Sequence, residues 1–461
     1  EACPTPRPLV LPPIAYGVSD HHRDFSGTLS VSPETQARLI YEIGLSAARC
    51  GITKLVMING HGGNAPALHL AAQMINRDAH IFTCVDTGET SDTDVHELLD
   101  APNDVHAGEI ETSTTLAVRP HLVDMGRAPR MVPKFSSRYL DFTSGIAVTA
   151  LGHGAPEVRT AIEAALDSGL IHASNLFRTE PAETLATELV QASFPGSVFF
   201  CNSGAEAGEA ALKFARRWAR SVGGADKHEI VAFRRGFHGR LFGTLATTDR
   251  EAYRAPFEPL MPGVRWAEVG DLGSVEAVVD PARTAAVVIE PVQGEGGVRP
   301  VPADFLIELR RLCNEHGVAL IFDEIQCGLG RTGDLFAFEA SGVRPDLLSL
   351  AKPLAGGLPM GAVVVAPAIA ETIQPGDHGT TFGGGPMVAG VARAVLATVS
   401  APAFLRGVRE RAARVETAVH GLRAADAGIV EVRGRGLLWG IEVEGPAAAV
   451  VAAARERGVR V

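Results

Sequence analysis

The chain has 461 residues, which is enough for two or three domains that each bury a core. Apolar residues make up 46% of it and charged residues 21%, the balance of an ordinary soluble globular protein. The net charge of −11 argues against nucleic acids and anionic membranes as partners, because both carry negative charge. No apolar run is long enough to span a bilayer.

Six scattered cysteines without a Cys-x-x-Cys pair, and no leader sequence, predict reduced thiols in a cytoplasmic protein. Because the chain begins with Glu1 instead of Met, we expect a fragment or a processed start. At the other end a predicted helix is followed by only three strand-like residues, so we also expect residues to be missing beyond Val461.

Apolar periodicity in the first part of the chain predicts a helix from Thr35, then a strand over Lys54–Ile58. The loop NGHGGN follows, and after it a second helix that ends near Arg77. From Glu183 onward, six apolar runs alternate with helical stretches: SVFFC, HEIVAF, AAVVIE, VALIFDE, DLLSLA and AVVVA. Such runs are typical of parallel strands buried on both faces, so they predict a doubly wound α/β sheet. Near the end, VRGRGLLWGIEV predicts a strand and PAAAVVAAARERG a helix.

Candidate binding groups stand at the ends of these runs. Ser203 and Glu206 fit a capping box, and the free amides of Gly204 and Ala205 at that helix start would bind an anion. A capped helix that binds nothing is the commoner outcome for this pattern alone.

Two charged residues follow other runs. Asp323 ends a buried strand, where a carboxylate needs a cationic partner. Lys352 precedes a Gly-rich loop, where burial would lower its pKa as Schiff-base chemistry requires, although a lysine snorkelling at a strand end is the simpler reading. Together with the anion site and the aromatic residue in RRGFHGR, they make the four parts of a pyridoxal phosphate site.

From Tyr139 to Val461 the sequence resembles class III pyridoxal-phosphate aminotransferases, and acetylornithine aminotransferases in particular. The matching phrases, in order, are YLDFTSGIAVTALGHG, HASNLF, FFCNSGAEAGEAALKFAR, FHGR, VIEPVQGEGGV, LIFDEIQCGLGRTG, LAKPLAGGLPMGA and HGTTFGG. The resemblance implies the fold type I of pyridoxal-phosphate-dependent transferases, with a mostly parallel doubly wound sheet and an incomplete small domain. It also implies transfer of the ω-amino group of N-acetylornithine, or a related donor, to 2-oxoglutarate, as in arginine biosynthesis.

The resemblance assigns roles to residues of this sequence. Lys352 would bond to the cofactor and move a proton, Asp323 would keep the pyridine nitrogen protonated, and Phe237 would stack on the ring. Thr381 would reach the phosphate of a neighbouring subunit, which implies a homodimer. The implied cofactor-binding residues are Ser203, Gly204, Ala205, Phe237, His238, Glu290, Asp323, Gln326, Lys352 and Thr381; the implied substrate residues are Arg240, Glu295 and Thr380.

Two positions depart from the family pattern. Gly385 replaces an Asn, which loosens a turn near Thr381. Gly208 also replaces an Asn, at a cost of up to about 1 kcal/mol of helix propensity.

Residues from about Leu11 to Ser144 resemble creatininase-type amidohydrolases, through PPIAYGVSDHHRDFSGTLSVS, KLVMINGHGGN, VHAGEIETS and RPHLVDM. That family uses two metal ions, and the resemblance implies His61 and Glu111 as ligands for zinc or manganese. The alternative is structural, since two ligands do not make a catalytic site and a His in a Gly-rich loop is more often structural.

Both resemblances contain YLDFTS, so we hypothesise a chimera joined between Tyr139 and Ser144. The predicted parts are a partial creatininase-like segment over 1–138, a cofactor-binding large domain over 139–400 and an incomplete small domain over 401–461. Aminotransferase activity is the preferred function. The alternatives are a metal-dependent amidohydrolase and a non-functional fusion of two fragments.

Overall fold

A computed structural model describes residues 14, 30–59, 64–86, 139–173, 176–425 and 428–461. The chain divides into two compact units, Glu1–Arg138 and Tyr139–Val461. The boundary between them falls at Tyr139, the first residue of the hypothesised junction.

The described part of the first unit is a small α/β arrangement. It consists of α1 (Pro33–Arg49), β1 (Lys54–Ile58), α2 (Ala65–Ala79) and β2 (Phe82–Asp86). The predicted order of helix, strand and helix is confirmed. The strands β1 and β2 pair in parallel, as a strand–helix–strand crossover requires.

A small apolar core holds the two helices of this unit together. Ile40 from α1 packs with Leu68, Ala71 and Ile75 from α2. The helix α1 begins at a Ser32 cap, whose hydroxyl accepts the amide of Thr35 at 3.2 Å.

The second unit contains the remaining elements. Its strands are β3 (Leu140–Asp141), β4 (Ser197–Cys201), β5 (Glu229–Phe233), β6 (Val264–Ala267), β7 (Thr284–Ile289), β8 (Val292–Gln293), β9 (Arg299–Pro300), β10 (Ala319–Asp323), β11 (Leu347–Leu350), β12 (Gly361–Val365), β13 (Ile429–Arg435), β14 (Leu438–Val443) and β15 (Val459–Arg460). Its helices are α3 (Ser144–Ala147), α4 (Pro156–Asp167), α5 (Glu180–Ala192), α6 (Gly204–Gly223), α7 (Phe242–Ala246), α8 (Glu251–Arg254), α9 (Leu272–Glu276), α10 (Ala303–His316), α11 (Pro367–Ala370), α12 (Pro386–Val399), α13 (Pro402–Ala424) and α14 (Ala447–Glu456).

A seven-stranded sheet in the order β4-β12-β11-β10-β7-β5-β6 forms the centre of the second unit. The strands from β11 to β6 pair in parallel, which confirms the mostly parallel doubly wound prediction. The strand β12, however, pairs antiparallel to both of its neighbours. Its run AVVVA was predicted as a parallel strand. That detail is wrong, because a strand buried on both faces is continuously apolar whichever way it points.

One further prediction needs correction, and one strand of the sheet was not predicted. The segment VRGRGLLWGIEV forms a hairpin of two antiparallel strands, β13 and β14, instead of one strand. The turn between them contains Gly436, which adopts a φ of +61° that suits glycine. The sheet also contains β6, whose sequence VRWA is too polar and too short to stand out as an apolar run.

Apolar side chains cover both faces of this sheet. The helix α6 packs one face, with Ala207, Ala211 and Phe214 among its buried residues. The larger cluster on the other face includes Leu309 of α10 and Val391 of α12. Among the described helices, none taken singly is long and apolar enough to cross a membrane; α12 and α13 reach that length and composition only together, across a 65° bend.

The sheet brings several strand ends to one edge. Glu290 follows β7, Asp323 is the last residue of β10, and Lys352 comes two residues after β11. These strands are parallel, so their carboxyl ends lie together, where open α/β sheets bind ligands.

Candidate active site

A cavity of about 250 Å³ lies at this edge of the sheet. Its lining is Gly204, Ala205, Phe237, His238, Gly239, Arg240, Glu290, Glu295, Asp323, Ile325, Gln326 and Lys352. It therefore combines a helix N-terminus, an aromatic ring, a lysine and two buried carboxylates.

Asp323 and His238 form a buried pair at the bottom of the site. Asp323 Oδ2 lies 2.8 Å from His238 Nδ1, and their side chains are only 6% and 3% exposed. The other oxygen, Oδ1, accepts the amide of Ile325 at 3.1 Å. Burial lowers the pKa of His238, but the hydrogen bond and the charge of Asp323 outweigh it, so that pKa lies above its ordinary value. The pair fixes the direction of the Asp323 carboxylate.

Glu290 is a second buried carboxylate, and both of its oxygens accept hydrogen bonds from backbone amides. Its Oε2 accepts the amide of Phe237 at 2.9 Å, and its Oε1 accepts the amide of Gly294 at 3.1 Å. Burial raises the pKa of Glu290 to about 7, and the negative charge of Asp323 adds to the rise, whereas His238 opposes it. Glu290 thus anchors the backbone of the segment that carries Phe237.

Lys352 lies in a constrained and largely buried position. Its backbone φ of +28° is unusual for a residue with a side chain, and such strain is typical of functional sites. Burial lowers the pKa of Lys352, while the charges of Asp323, Glu295 and Glu290 oppose that effect. A lowered pKa increases the fraction of neutral amine, which is the nucleophilic form.

The N-terminus of α6 forms the anion-binding part of the cavity. Ser203 caps it by accepting the amide of Glu206 at 3.2 Å, as predicted. The other half of the predicted capping box is wrong, because the Glu206 carboxylate accepts the amide of Asn202 at 2.5 Å instead of that of Ser203. At Gly204 a Cβ would lie 2.8 Å from the Ile325 side chain, so the close approach of this helix start to the loop after β10 favours glycine.

The side chain of Gln326 packs closely against Gly294. A Cβ at Gly294 would lie 1.3 Å from Gln326 Oε1, so a side chain at this position would displace the Gln326 amide. Gly294 therefore leaves room for the amide of Gln326 beside the cavity.

Arginine and aromatic side chains stack at the cavity mouth. The Arg240 guanidinium lies 3.6 Å from the centre of the Tyr253 ring and 6.0 Å from that of Phe237. Arg240 and Glu295 are exposed. Within the described ranges Arg240 makes no ion pair with a carboxylate, so its guanidinium is available to an anionic ligand.

Most predicted residues meet in this cavity: Gly204, Ala205, Phe237, His238, Arg240, Glu290, Glu295, Asp323, Gln326 and Lys352. Ser203, Thr380 and Thr381 do not line it. Thr380 Oγ1 lies 2.9 Å from the side-chain amide nitrogen of Asn202, and Thr381 is exposed.

The predicted metal ligands, His61 and Glu111, lie outside the described residues. Among the residues that are described, no group of three or more His, Cys, Asp or Glu side chains could hold a metal ion.

Four residues of the site were not predicted: Gly239, Ile325, Tyr253 and Arg250. Gly239 and Ile325 lie within the motifs FHGR and DEIQ, next to predicted residues, so assigning the whole of each motif to the site would have included them. Tyr253 and Arg250 belong to the separate segment DREAYR, and no sequence spacing connects them to Arg240.

Comparisons with known proteins agree with this geometry. The chain matches the class-III aminotransferase family over residues 123–461 and the creatinine amidohydrolase family over residues 1–191. The two matches overlap over residues 123–191, a stretch that contains Tyr139–Ser144, which is consistent with the hypothesised chimera. The larger match covers the whole cavity.

Individual relatives point the same way. The mitochondrial acetylornithine aminotransferase of Alnus glutinosa is 43% identical over 359 residues, covering 77% of this chain and 79% of the relative. The acetylornithine aminotransferase of Xanthomonas campestris is 44% identical over 321 residues, covering 69% and 78%. The solved N-acetylornithine aminotransferase of Stenotrophomonas maltophilia superimposes with a TM-score of 0.62 at 34% identity, over 75% of this chain and 89% of that one. The chain belongs to the class-III aminotransferase family.

Proposed function

We propose that the chain is a pyridoxal-phosphate-dependent aminotransferase that takes the ω-amino group of N-acetylornithine and passes it to 2-oxoglutarate. The observation that carries this proposal is the shared cavity of Lys352 and the Asp323–His238 pair beside the N-terminus of α6. An amine, a buried carboxylate and an anion site in one cavity are what a phosphorylated pyridine aldehyde requires. The names of the relatives supply the choice of donor.

The residues present fit pyridoxal phosphate. Gly204 brings the helix start to the cavity wall and Gly294 leaves room beside Gln326, as the close approach of a cofactor requires. Ser203, Gly204 and Ala205 would hold the phosphate, Phe237 would cover one ring face and Asp323 would face the ring nitrogen. When bound, the cofactor would supply an electron sink for the carbon that bears the amino group.

The chain's own groups would then handle the proton and the substrate. Lys352 would bond to the cofactor and afterwards carry the proton at its Nζ, which the lowered pKa favours. Asp323, oriented by His238, would keep a positive charge on the ring nitrogen. Arg240 would bind the carboxylate of the amino donor, and Glu295 would control access to that guanidinium.

A homodimer is part of this proposal. Thr381 is exposed and lies away from the cavity lining, which suits a contribution to a neighbouring subunit's phosphate site. Thr380 would contact substrate from the same loop. We further propose a cytoplasmic place in arginine biosynthesis, which rests on the proposed donor and on the reduced-thiol composition.

Turnover tests the proposal directly. The full chain, loaded with pyridoxal phosphate, should form glutamate from N-acetylornithine and 2-oxoglutarate. Asp323→Asn removes the charge that faces the ring nitrogen and should lower kcat at least about a hundredfold, within the range of a single electrostatic contact in an active site. Asp304→Asn, on the exposed start of α10, is the matched control and should leave kcat unchanged. Equal rates for wild type and Asp323→Asn would contradict the proposed site.

A second candidate function rests on the match of residues 1–191 to creatinine amidohydrolase. In that case His61 and Glu111 would bind zinc or manganese and activate a water for amide hydrolysis. Elemental analysis of the purified chain tests it: one or two metal ions per chain, lost in His61→Ala, would support this function. A chain free of zinc and manganese after growth with both metals would contradict it.

A further inference from the structure

The cavity mouth contains two residues, Tyr253 and Arg250, that the proposed chemistry does not use. Tyr253 in α8 lies against Arg240 on one side, with 3.6 Å from guanidinium carbon to ring centre. A second arginine, Arg250, lies 5.2 Å from the centre of the same ring. Two guanidinium groups therefore lie near the ring of Tyr253 beside the cavity.

Arg250 also holds the tyrosine in place. Its Nη1 donates to the Tyr253 hydroxyl at 2.9 Å, and its Nη2 donates to the backbone carbonyl of Glu295 at 3.4 Å. Arg250 thereby connects α8 to the loop that lines the cavity mouth. Tyr253 is fixed through its hydroxyl as well as through its ring.

Arg240 needs such a support. It is exposed, and among the described residues no carboxylate pairs with it, so an unsupported guanidinium would sample many rotamers. Ordering a long side chain during binding weakens the affinity, whereas a side chain ordered beforehand avoids that loss. Stacking on a tyrosine face orders a guanidinium without consuming the N–H groups that a carboxylate would accept from.

We propose that Tyr253 and Arg250 are positioning residues that hold Arg240 ready for the carboxylate of the amino donor. They make the site selective for ω-amines that carry a carboxylate at the other end over ω-amines that lack one. This inference rests on the proposed function, because it assigns the substrate carboxylate to Arg240.

The kinetic test compares two donors that differ in one group. N-acetylornithine carries the carboxylate, and N-acetylputrescine is the same molecule without it. Tyr253→Leu removes the stack and should lower kcat/KM for N-acetylornithine about tenfold, mainly through KM, as a partly desolvated cation–π contact would. The value for N-acetylputrescine should stay the same. Tyr253→Phe keeps the ring and loses the Arg250 hydrogen bond, so a smaller effect in the same direction is expected.

A binding test separates this inference from the proposed function. N-acetylnorvaline has the carboxylate and the acetyl group of the donor but no ω-amine, so it binds without reacting. Calorimetry with the loaded chain should show about tenfold weaker binding to Tyr253→Leu and weaker binding to Arg250→Gln. In an Arg240→Gln background neither substitution should have a further effect. Arg254→Gln, which removes a comparable stack on Trp266 from the same helix, is the control and should bind as wild type does.

Each outcome supports or overturns the inference. Equal losses for both donors, or a persisting effect of Tyr253→Leu in the Arg240→Gln background, would show a general structural role and overturn it. A wild-type chain that binds N-acetylnorvaline but forms no glutamate would overturn the proposed function and leave the positioning role standing. A wild-type chain that does not bind the analogue would overturn the positioning role itself. Arg250→Gln keeps the test decisive if Tyr253→Leu fails to fold.

Discussion

At the scale of single residues, several carboxylates are buried in the centre of the second unit. Glu324 follows Asp323 directly and points away from the cavity lining. Both of its oxygens accept backbone amides, from Ala337 at 2.6 Å and from Phe338 at 2.8 Å. Burial nevertheless raises the pKa of Glu324 to about 8. The folded chain therefore keeps a proton on this group that the unfolded chain has released at neutral pH.

This proton predicts how stability depends on pH. A raised pKa in the folded state gives stability that is complete below the unfolded pKa of about 4.5 and is lost as pH rises toward about 8. The unfolding free energy of the wild-type chain should fall across that window. Glu324→Gln cannot titrate and should remove a slope of up to about 1.4 kcal/mol per pH unit. Urea unfolding at several pH values measures it.

Glu308→Gln, an exposed change on α10, is the control for this measurement and should keep the wild-type slope. Equal slopes for Glu324→Gln and wild type would contradict the raised pKa.

The site residues that were predictable from the sequence are those at or just after the ends of strands. Asp323 and Lys352 come directly after apolar runs, and parallel strands bring their carboxyl ends together whatever the details of packing. Tyr253 was not predictable in the same way. Its contact with Arg240 depends on how the short helix α8 packs near the cavity mouth. No periodic pattern in the sequence predicts such a contact.

At the scale of elements, Gly208 in the helix α6 shows that helix propensity alone does not decide which residue is most stable at a position. Gly208 was expected to cost helix stability, and in isolation it does. In the fold, a Cβ at this position would lie 2.7 Å from Thr244 Cγ2 and 3.3 Å from the carbonyl oxygen of His238. Glycine here lets α6 approach α7 and the segment that carries His238.

Gly208→Ala should therefore lower the unfolding free energy of the wild-type chain despite its better helix propensity. In a Thr244→Ser background, which removes the opposing methyl group and leaves the 3.3 Å contact with the carbonyl oxygen of His238, the same change should destabilise less. Denaturant unfolding of the four variants measures this difference.

Gly390→Ala provides the comparison within α12, where an added Cβ meets no atom within 4 Å. It should stabilise both backgrounds alike. A gain from Gly208→Ala in the wild-type chain as large as that from Gly390→Ala would contradict the packing argument.

The elements themselves were predictable to different degrees. Six strands of the central sheet were recognised by their apolar runs; five of them are completely buried, whereas the edge strand β4 is only partly buried. The direction of β12 was not recognised, since burial on both faces is the same for parallel and antiparallel neighbours. The β13–β14 hairpin was read as a single strand because its turn, at Gly436, carries only one turn-forming residue.

At the scale of the whole molecule, the two units differ in the apolar clusters formed by their described residues. Those of the first unit form a small cluster around Ile75, whereas those of the second form extensive clusters on both sheet faces. In the first unit, Val56 and Ile58 of β1 are 60% and 82% exposed. These exposed side chains lie in the part of the chain that precedes the hypothesised junction at Tyr139–Ser144.

Thermal unfolding should show this division. We expect two transitions, of which only the one belonging to the second unit rises on addition of pyridoxal phosphate, because a ligand stabilises the unit that binds it. At a hundredfold excess over Kd the shift corresponds to about 2.7 kcal/mol. Calorimetry with and without cofactor measures both transitions, and Lys352→Ala should shrink the shift. A single transition that moves as a whole would contradict independent units.

The central claim is that Lys352 in this cavity holds pyridoxal phosphate and presents it to N-acetylornithine. Reduction of the loaded full-length chain with borohydride, followed by mapping of labelled peptides by mass spectrometry, tests it most directly. We predict that the label is on Lys352 and that preincubation with N-acetylornithine abolishes it. A chain without label on Lys352, or with label that N-acetylornithine does not affect, would contradict it.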